Sequence, residues 1–297
     1  MHIPEIPNII HYAIPFFIMT IIMEVVLTIK SKTGHYNFKD AGTSIVLGLG
    51  NVFIGLFSKS IALAVFYGLY NLIHLINIPF TWWAWVILLF ADDFCYYWFH
   101  RISHESRLFW ASHVVHHSSK RYNLSTALRQ TWSGGFYTFI FWIPLVLIGF
   151  HPIMILTQMS VSLIYQYWIH TELIYRMPKW FEAIFNTPSH HRVHHATNAQ
   201  YLDRNHAGIF IIWDKLFGTF EAEKESPTYG LVKNFDTYNP IIIAFNEWID
   251  LIKDVKSSNT SMSNKFKYLI KPPGWRHDEK SILSADLRKE WQEKNKK

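Results

Sequence analysis

Nine of the seventeen histidines stand in three short clusters, which are HRISH from residue 100, HVVHH from residue 113 and HHRVHH from residue 190. Spacings of three and four residues place imidazoles on one face of a helix. Neutral imidazole is the commonest side-chain metal ligand and suits iron, zinc, copper and nickel. Because one tetrahedral ion needs fewer ligands, the sequence predicts a pair of metals. The candidate ligands are His100, His104, His113, His116, His117, His191, His194 and His195.

Two more candidate ligands end an apolar segment. His170 is the first, and Gln166 lies four residues earlier on the same helix face, where its amide could bind metal or hold a water. His190 competes with His191 for the inward direction, so we expect it to lie outside the ligand set. His206 is left open between ligand and structural residue.

Carboxylates are missing from the clusters, although soluble di-metal bundles use Glu-x-x-His pairs. Neutral ligands leave the charge of two metals uncompensated, so nearby acids should matter. Asp93 lies seven residues before His100 on one helix face and is a candidate catalytic residue. The alternative for Asp93 and Asp92 is a buried hydrogen bond to Tyr or Trp. The other nearby acids are Glu105, Asp203 and Asp214, the last favoured for capping or turn formation.

The composition indicates a membrane protein, which gives these clusters their setting. Half of the residues are hydrophobic and only 17% are charged, which is too apolar for an ordinary soluble domain. The single cysteine, Cys95, excludes an intrachain disulfide and disfavours a cysteine metal site. The net charge of +6 fits basic loops at a membrane better than nucleic-acid binding. We therefore predict an all-α integral membrane protein.

Five transmembrane helices are predicted, at residues 9–29, 61–76, 80–99, 132–150 and 153–169. Lys and Arg follow the first, third and fifth of them, which predicts that the helical, histidine-rich metal domain faces the cytoplasm. Ser58-Lys59-Ser60 interrupts the second apolar stretch, so we expect an interfacial or re-entrant piece at 43–57 before the second span. Glu24 is costly in lipid and should face protein or the interface.

The chain divides into three predicted regions. Residues 1–79 carry N-terminal membrane segments, residues 80–220 the catalytic histidine-box region with transmembrane helices, and residues 221–297 a polar cytoplasmic tail. We expect the membrane to be either a bacterial inner membrane or that of the endoplasmic reticulum. A lipid chain is expected to enter between spans three, four and five, along aromatic side chains such as Phe99, Trp110, Trp132 and Trp168.

The three-box pattern resembles the fatty acid hydroxylase / sterol desaturase superfamily of membrane di-iron enzymes, over roughly residues 40–220. WFHRISHE, WASHVVHHSSKRYNLSTALRQ, YWIHTE, NTPSHHRVHH and IIWDKLFGTF look most like the alkylglycerol monooxygenase branch, which cleaves ether lipids. The resemblance implies two irons, molecular oxygen, a lipid substrate, and tetrahydrobiopterin or another external electron donor. It also makes Glu105 a candidate catalytic residue. Where the family's extra element has two histidines, this chain has Gln166 and His170.

The resemblance predicts a membrane-bound di-iron monooxygenase that hydroxylates a lipid C–H bond, with cleavage of alkylglycerol ethers as the finer expectation. Asn123 and Arg129 follow the second box and are candidates to bind a head group or cofactor, against the alternative of a solvated loop. A sterol, fatty-acid or carotenoid hydroxylase, or a desaturase, would use the same histidine cage.

Two function classes outside this family fit the sequence less well. A membrane metal-binding or transport protein would place its ligands near the bilayer midplane, whereas here they cluster at span ends. A zinc protease would need His-Glu-x-x-His, and His104-Glu105-Ser-Arg-Leu108 lacks the second histidine.

Overall fold

The computed structural model describes residues 9–32, 35–257 and 259–296. Among them, extended chain pairs only in two isolated bridges, Phe185 with Phe210 and Ala196 with Tyr229, so the all-α prediction is confirmed. The helices are α1 Ile9–Ser31, α2 Phe38–Ile73, α3 Trp82–Glu105, α4 Arg107–His117, α5 Leu124–Ala127, α6 Ile143–Ile148, α7 Pro152–Trp168, α8 Lys179–Ile184, α9 Pro188–His194, α10 Ile212–Leu216, α11 Pro240–Ser257, α12 Met262–Ile270 and α13 Ser284–Lys294.

Two of the described helices are long and apolar enough to cross a membrane, Tyr12–Ser31 within α1 and the whole of α2. The prediction of a re-entrant piece at 43–57 is wrong, because α2 runs unbroken for 36 residues. Ser60 Oγ donates to the Leu56 carbonyl one turn earlier at 2.8 Å, which keeps its hydroxyl satisfied inside the helix. Lys59 is exposed, so its long side chain can carry the charge away from the helix without ending it.

The fourth predicted span is also wrong. All of residues 132–150 are described, and they form 3₁₀ turns at Gly134–Phe136 and Thr138–Trp142 followed by the six-residue α6. Gly149 then reverses the chain at φ 124°, a conformation that an L side chain rarely adopts. Apolar composition therefore does not show that this segment is a single long helix, and the segment packs beside α3 in the apolar core as short helical turns.

The third and fifth predicted spans correspond to α3 and α7, which pack together. Their contact is part of an apolar core that includes Leu88 of α3 and Met154 and Ile155 of α7. Glu24 of α1 is 2% exposed and accepts hydrogen bonds from Tyr36, Thr171 and the backbone of Leu124, which confirms that it faces protein. These contacts hold α1 against two segments, one that follows the second histidine cluster and one that follows α7.

Residues 240–294 form three helices that pack on the histidine region. Ile243 and Ala244 of α11 are buried against Val114 and Val115 of α4. At the start of α4, Arg107 donates to Glu247 at 2.7 Å and to Asp254 at 2.6 Å, both on α11. The C-terminal part of the chain therefore supports the helix that carries the second histidine cluster.

Candidate metal centre

Nine histidines converge into two adjoining groups, from α3, from α4, from just after α7 and from α9 and its C-terminal end. The five-histidine group contains His100, His104, His113, His117 and His194. The four-histidine group contains His116, His170, His191 and His195. Within each group the potential ligand atoms lie within 4.8 Å of one another. The groups touch where the rings of His117 and His195 stack with centroids 4.4 Å apart, so the structure gathers every histidine that the sequence proposed as a ligand.

The tautomers in the four-histidine group follow from its hydrogen bonds. His170 Nδ1 lies 2.7 Å from the Gln166 carbonyl, and His116 Nδ1 lies 3.2 Å from the Arg129 carbonyl. A carbonyl only accepts, so each neutral ring carries its proton on Nδ1 and a lone pair on Nε2. These two Nε2 atoms lie 3.1 Å apart. Two lone pairs at that distance repel unless a cation lies between them, which fits a metal site.

The five-histidine group repeats this arrangement. His100 Nδ1 lies 2.7 Å from the His206 carbonyl and His194 Nδ1 lies 2.9 Å from the Arg204 carbonyl, so both rings turn lone pairs inward. Their Nε2 atoms contact Nε2 of His113 at 3.0 Å and of His117 at 3.1 Å. His104 Nε2 is buried without a hydrogen-bond partner. A buried nitrogen without a hydrogen-bond partner is available to bind a metal ion.

The spacing of the nitrogens also fits a metal. Six Nε2–Nε2 contacts in the two groups lie between 3.0 and 3.2 Å. Metal–imidazole bonds of about 2.1 Å place neighbouring ligands of an octahedral ion about 3.0 Å apart. The donor set of neutral imidazoles suits iron among the transition metals, and nine of them exceed the need of one ion.

Burial keeps these imidazoles neutral. It lowers the pKa of His113, His117 and His194 well below the ordinary 6.5, and the neighbouring imidazoles lower it further because two charged rings repel. The same causes lower the pKa of His191 and His195. Neutral rings are the form that binds metal, so the site is prepared for ligation at ordinary pH.

Asp203 is the carboxylate that contacts the five-histidine group. Its Oδ1 lies 3.3 Å from His104 Nδ1, and its other oxygen faces Arg288 of α13 at 3.5 Å. Burial alone would raise its pKa, but the hydrogen bond from His104 and the charge of Arg288 hold the pKa of Asp203 below its ordinary value. Asp203 and Asn205 have φ of 51° and 56°, so the loop beside the metal groups holds two residues in the left-handed region.

The two aspartates of α3 are buried and act as hydrogen-bond acceptors outside the two histidine groups. Asp93 accepts hydrogen bonds from the backbone of Ile209 and Phe210 and from the Trp213 indole. Asp92 accepts from the Trp142 indole at 2.7 Å, which agrees with the hydrogen-bond alternative for this residue.

Asp214 accepts from the amides of His206 and Ala207, each at 2.8 Å, as expected of a turn-forming acid. The carbonyl of His206 accepts a hydrogen bond from His100 Nδ1. Asp214 therefore holds the residue whose carbonyl orients the candidate ligand His100.

Two further predicted residues lie beside the groups. Gln166 orients His170 through its backbone carbonyl, while its side-chain amide donates to Ser162 at 3.0 Å. Glu105 pairs with Arg101 at 2.9 Å on the outer side of α3, and nearly half of its side chain is exposed. Ligation by Gln166 and catalysis by Glu105 or Asp93 stay predictions.

Asn123 and Arg129, the candidate cofactor-binding residues, are each 1% exposed. Asn123 caps α5 through Ser125 and donates to the His35 carbonyl. Arg129 donates to Ser118 and pairs with Asp40 at 3.3 Å, and its carbonyl orients His116. Neither is in a solvated loop, and binding of a head group or cofactor by either stays a prediction.

Arg192, inside the third cluster, is a positioning residue that sequence reasoning passed over. It forms a bidentate ion pair with Glu223, with N–O distances of 2.8 and 2.7 Å. It also donates hydrogen bonds to the carbonyls of Thr171, Ile174 and Tyr175. The segment after His170 is thereby tied to α9. The sequence feature that indicates this role is an arginine among four histidines, because a planar guanidinium can donate hydrogen bonds to several fixed acceptors at once.

A cavity of about 940 Å³ reaches the two histidine groups from the side of α4 and α11. It ends at His104, His117, His194 and His195, and its walls come from α4, α11 and residues 230–237. Of the four aromatic residues proposed for a tunnel, Trp110 lines this cavity, where its ring lies 5.2 Å from that of His104. The cavity's volume lies within the range of pockets that hold a drug-sized ligand.

Residues 85–219 match the sequence model of the fatty acid hydroxylase family. This stretch holds all nine histidines of the two groups, so the resemblance drawn from the three boxes is confirmed.

Individual relatives extend the likeness along the chain. Alkylglycerol monooxygenase of Homo sapiens is 41% identical over 274 residues, which cover 91% of this chain and 61% of that protein. The Danio rerio protein of the same description is 38% identical, with 92% and 61% covered. An ornithine lipid hydroxylase of Rhizobium tropici is 30% identical over 136 residues, which cover 46% of this chain and 41% of that protein. The chain spans about three fifths of the length of the two alkylglycerol monooxygenases. No solved structure matches it.

Proposed function

We propose that this chain is a membrane-bound di-iron monooxygenase that uses molecular oxygen to hydroxylate a C–H bond of a lipid. The observation that carries the proposal is the pair of adjoining histidine groups, each with imidazole lone pairs turned toward one another. It is supported by the match of residues 85–219 to the fatty acid hydroxylase family and by relatives described as alkylglycerol monooxygenases.

Two bound irons would supply the activation of oxygen that insertion into an unactivated C–H bond requires. The protein's own part is positioning. The carbonyls of His206, Arg204, Gln166 and Arg129 receive Nδ1 protons and so fix the direction of four ligand lone pairs. Asp203 holds His104 in the same way and adds a negative charge beside an otherwise neutral ligand set.

The finer proposal names alkylglycerols as substrate class. Hydroxylation of the carbon beside the ether oxygen gives a hemiacetal, which collapses to an aldehyde and a free glycerol hydroxyl, and this breaks the ether bond. The cavity at His104 and His194 offers room for the reacting part of such a lipid beside the five-histidine group. The electron donor would be tetrahydrobiopterin or another external reductant. We further propose that the protein crosses the membrane several times with the metal groups facing the cytoplasm.

The test begins with metal content. Protein purified in detergent after expression with added iron should hold about two irons per chain, and His194→Ala should lose iron because it removes an inward lone pair. His74→Ala is the matched control, since His74 contacts Tyr70 and Asn77 away from the groups. A single zinc that is unaffected by the iron supply would overturn the proposal.

The iron-loaded protein is then given an alkylglycerol with and without reduced pterin, and the released aldehyde is measured. Aldehyde formed only with the pterin supports ether cleavage and that reductant. Hydroxylated lipid without aldehyde would retain the monooxygenase and reject the ether substrate.

A further inference from the structure

The unassigned feature of this molecule is the outer face of α11, in the region that the sequence predicted to be a polar cytoplasmic tail. Five apolar side chains stand on it, each between 40% and 60% exposed, and they are Ile241, Ile242, Phe245, Ile249 and Ile252. At 3.6 residues per turn they fall within an arc of roughly 100°. The helix is therefore two-faced, with one apolar side packed on protein and a second apolar side left uncovered.

The inner face accounts for the rest of the helix. Ile243, Ala244 and Leu251 are no more than 2% exposed and pack against α4 and its neighbours. Glu247 and Asp254 pair with Arg107 of α4. Packing within the chain thus explains these residues but gives no reason for five large apolar side chains on the opposite side.

The exposed stripe continues onto a helix long and apolar enough to span a membrane. Thr43 Oγ1 of α2 donates to the Tyr238 carbonyl just before α11, at 2.9 Å. Trp132 joins the two helices further along, because its Nε1 donates to the Leu47 carbonyl of α2 while its ring lies 6.1 Å from that of Phe245. From this junction α2 exposes its own large apolar residues, among them Leu49, Val52 and Phe53.

The charges on α11 fit a membrane surface. Lys256 is exposed at the C-terminal end of the stripe, and Lys253, which also pairs with Asp250 at 3.3 Å, lies beside it. Lysine at the border of an apolar face keeps its stem in the apolar layer and its ammonium at the head groups, where anionic lipids attract it. The neighbouring α12 repeats the pattern with Met262, Phe266 and Ile270, which are four residues apart and exposed.

We propose that α11 lies in the membrane interface, with its apolar stripe in the lipid and its inner face on the metal-bearing helices. The partner is the bilayer itself, as for other amphipathic helices with a strong apolar face. Ile242 belongs both to the stripe and to the wall of the cavity that ends at His104 and His194. The cavity therefore opens at the interface, and a lipid can pass from the bilayer to the metal groups along α11. Only the identity of that lipid rests on the proposed function.

Spin labelling tests the placement without any need for turnover or metal. Cys95 is the only native cysteine and is replaced by Ala, and single cysteines are then introduced as Ile241→Cys, Ile249→Cys and Ile252→Cys. Each variant is labelled with a nitroxide in bilayer discs of neutral and anionic phospholipid, and its collision rates with oxygen and with a water-soluble nickel chelate are measured. Three separate positions keep the test independent of the folding of any one variant.

The expected result is preferential collision with oxygen at all three positions, with nickel collisions several-fold fewer than at Lys289→Cys, a solvent control on α13 that is 76% exposed. Phe53→Cys on the exposed face of α2 is the lipid control. Nickel accessibility equal to that of the α13 label would overturn the proposal. So would protection from both reagents, which would indicate a covering protein such as a second copy of this chain.

Discussion

The Nε2 atoms of His116 and His170 lie 3.1 Å apart, although each ring donates its proton to a backbone carbonyl through Nδ1. The two rings come from α4 and from the end of α7, so two packed helices bring their lone pairs together. A cation between the two lone pairs would remove their repulsion, and two backbone carbonyls hold the rings in this orientation.

Replacement of His170 should therefore empty one metal position before the other. His170→Ala removes a ligand of the four-histidine group and leaves the five-histidine group intact. We expect iron content to fall by about half and activity to be lost, because the lipid hydroxylation proposed above would need both metals. Metal analysis of the purified variant gives the ratio. Unchanged iron in His170→Ala would show that His170 is a structural histidine.

Asp203→Asn tests the carboxylate that contacts His104. The amide keeps the shape but loses the negative charge, so His104 becomes a weaker ligand and its tautomer is no longer fixed. Loss of a partner of this kind costs about 10- to 100-fold in metal affinity or activity. A competitive chelator titration against iron measures the affinity.

Asp236→Asn is the matched control, because Asp236 is 92% exposed and its partner Lys120 is a surface residue. Equal iron affinity in the two Asn variants would show that Asp203 does not contribute to metal binding.

The local part of the site could be predicted from the sequence, because helical periodicity decides it. Spacings such as those of His113, His116 and His117 place ligands on neighbouring helix faces, and the structure gathers them as expected. The partners of the ligands could not be predicted, since they are distant in the chain. Asp203 follows His104 by 99 residues, and the carbonyl that orients His100 belongs to His206.

The membrane segments were predicted less well, because apolar composition does not fix backbone geometry. Lys59 suggested a break in α2, yet a single exposed lysine is tolerated in a continuous helix. Residues 132–150 are apolar enough for a span, but Gly134 and Gly135 favour a turn, and Pro144 stands in the first turn of the short helix α6.

The free energy of unfolding of the metal-free protein should depend on pH because of its buried histidines. Burial lowers the pKa of His116 from 6.5 to about 4. Between these values the unfolded chain binds more protons than the folded chain, so the free energy of unfolding rises with pH and is lost as pH falls from 6.5 toward 4. Thermal unfolding after chelation, measured across this window, should give a falling midpoint on acidification.

His116→Gln should flatten this slope, because it removes one of the groups that take up a proton on unfolding. A slope identical to that of the parent chain would show that His116 does not titrate differently in the folded and unfolded states. The control is His277→Gln, which replaces a partly exposed histidine outside both groups.

Arg192→Lys tests whether the ion pair behind α9 positions the ligands. Lysine keeps the charge but cannot satisfy Glu223 and three carbonyls at once, so acceptors around it lose their partner. Each buried acceptor left without a donor costs about 1–3 kcal/mol, which lowers the thermal midpoint. Because α9 carries His191 and His194, iron affinity should fall in both groups together, unlike the selective loss in His170→Ala. The surface pair of Lys224 and Glu221 provides the comparison, since Lys224→Arg should leave the midpoint and the iron content unchanged. An Arg192→Lys protein that unfolds at a lower temperature yet binds iron normally would confine Arg192 to stability alone.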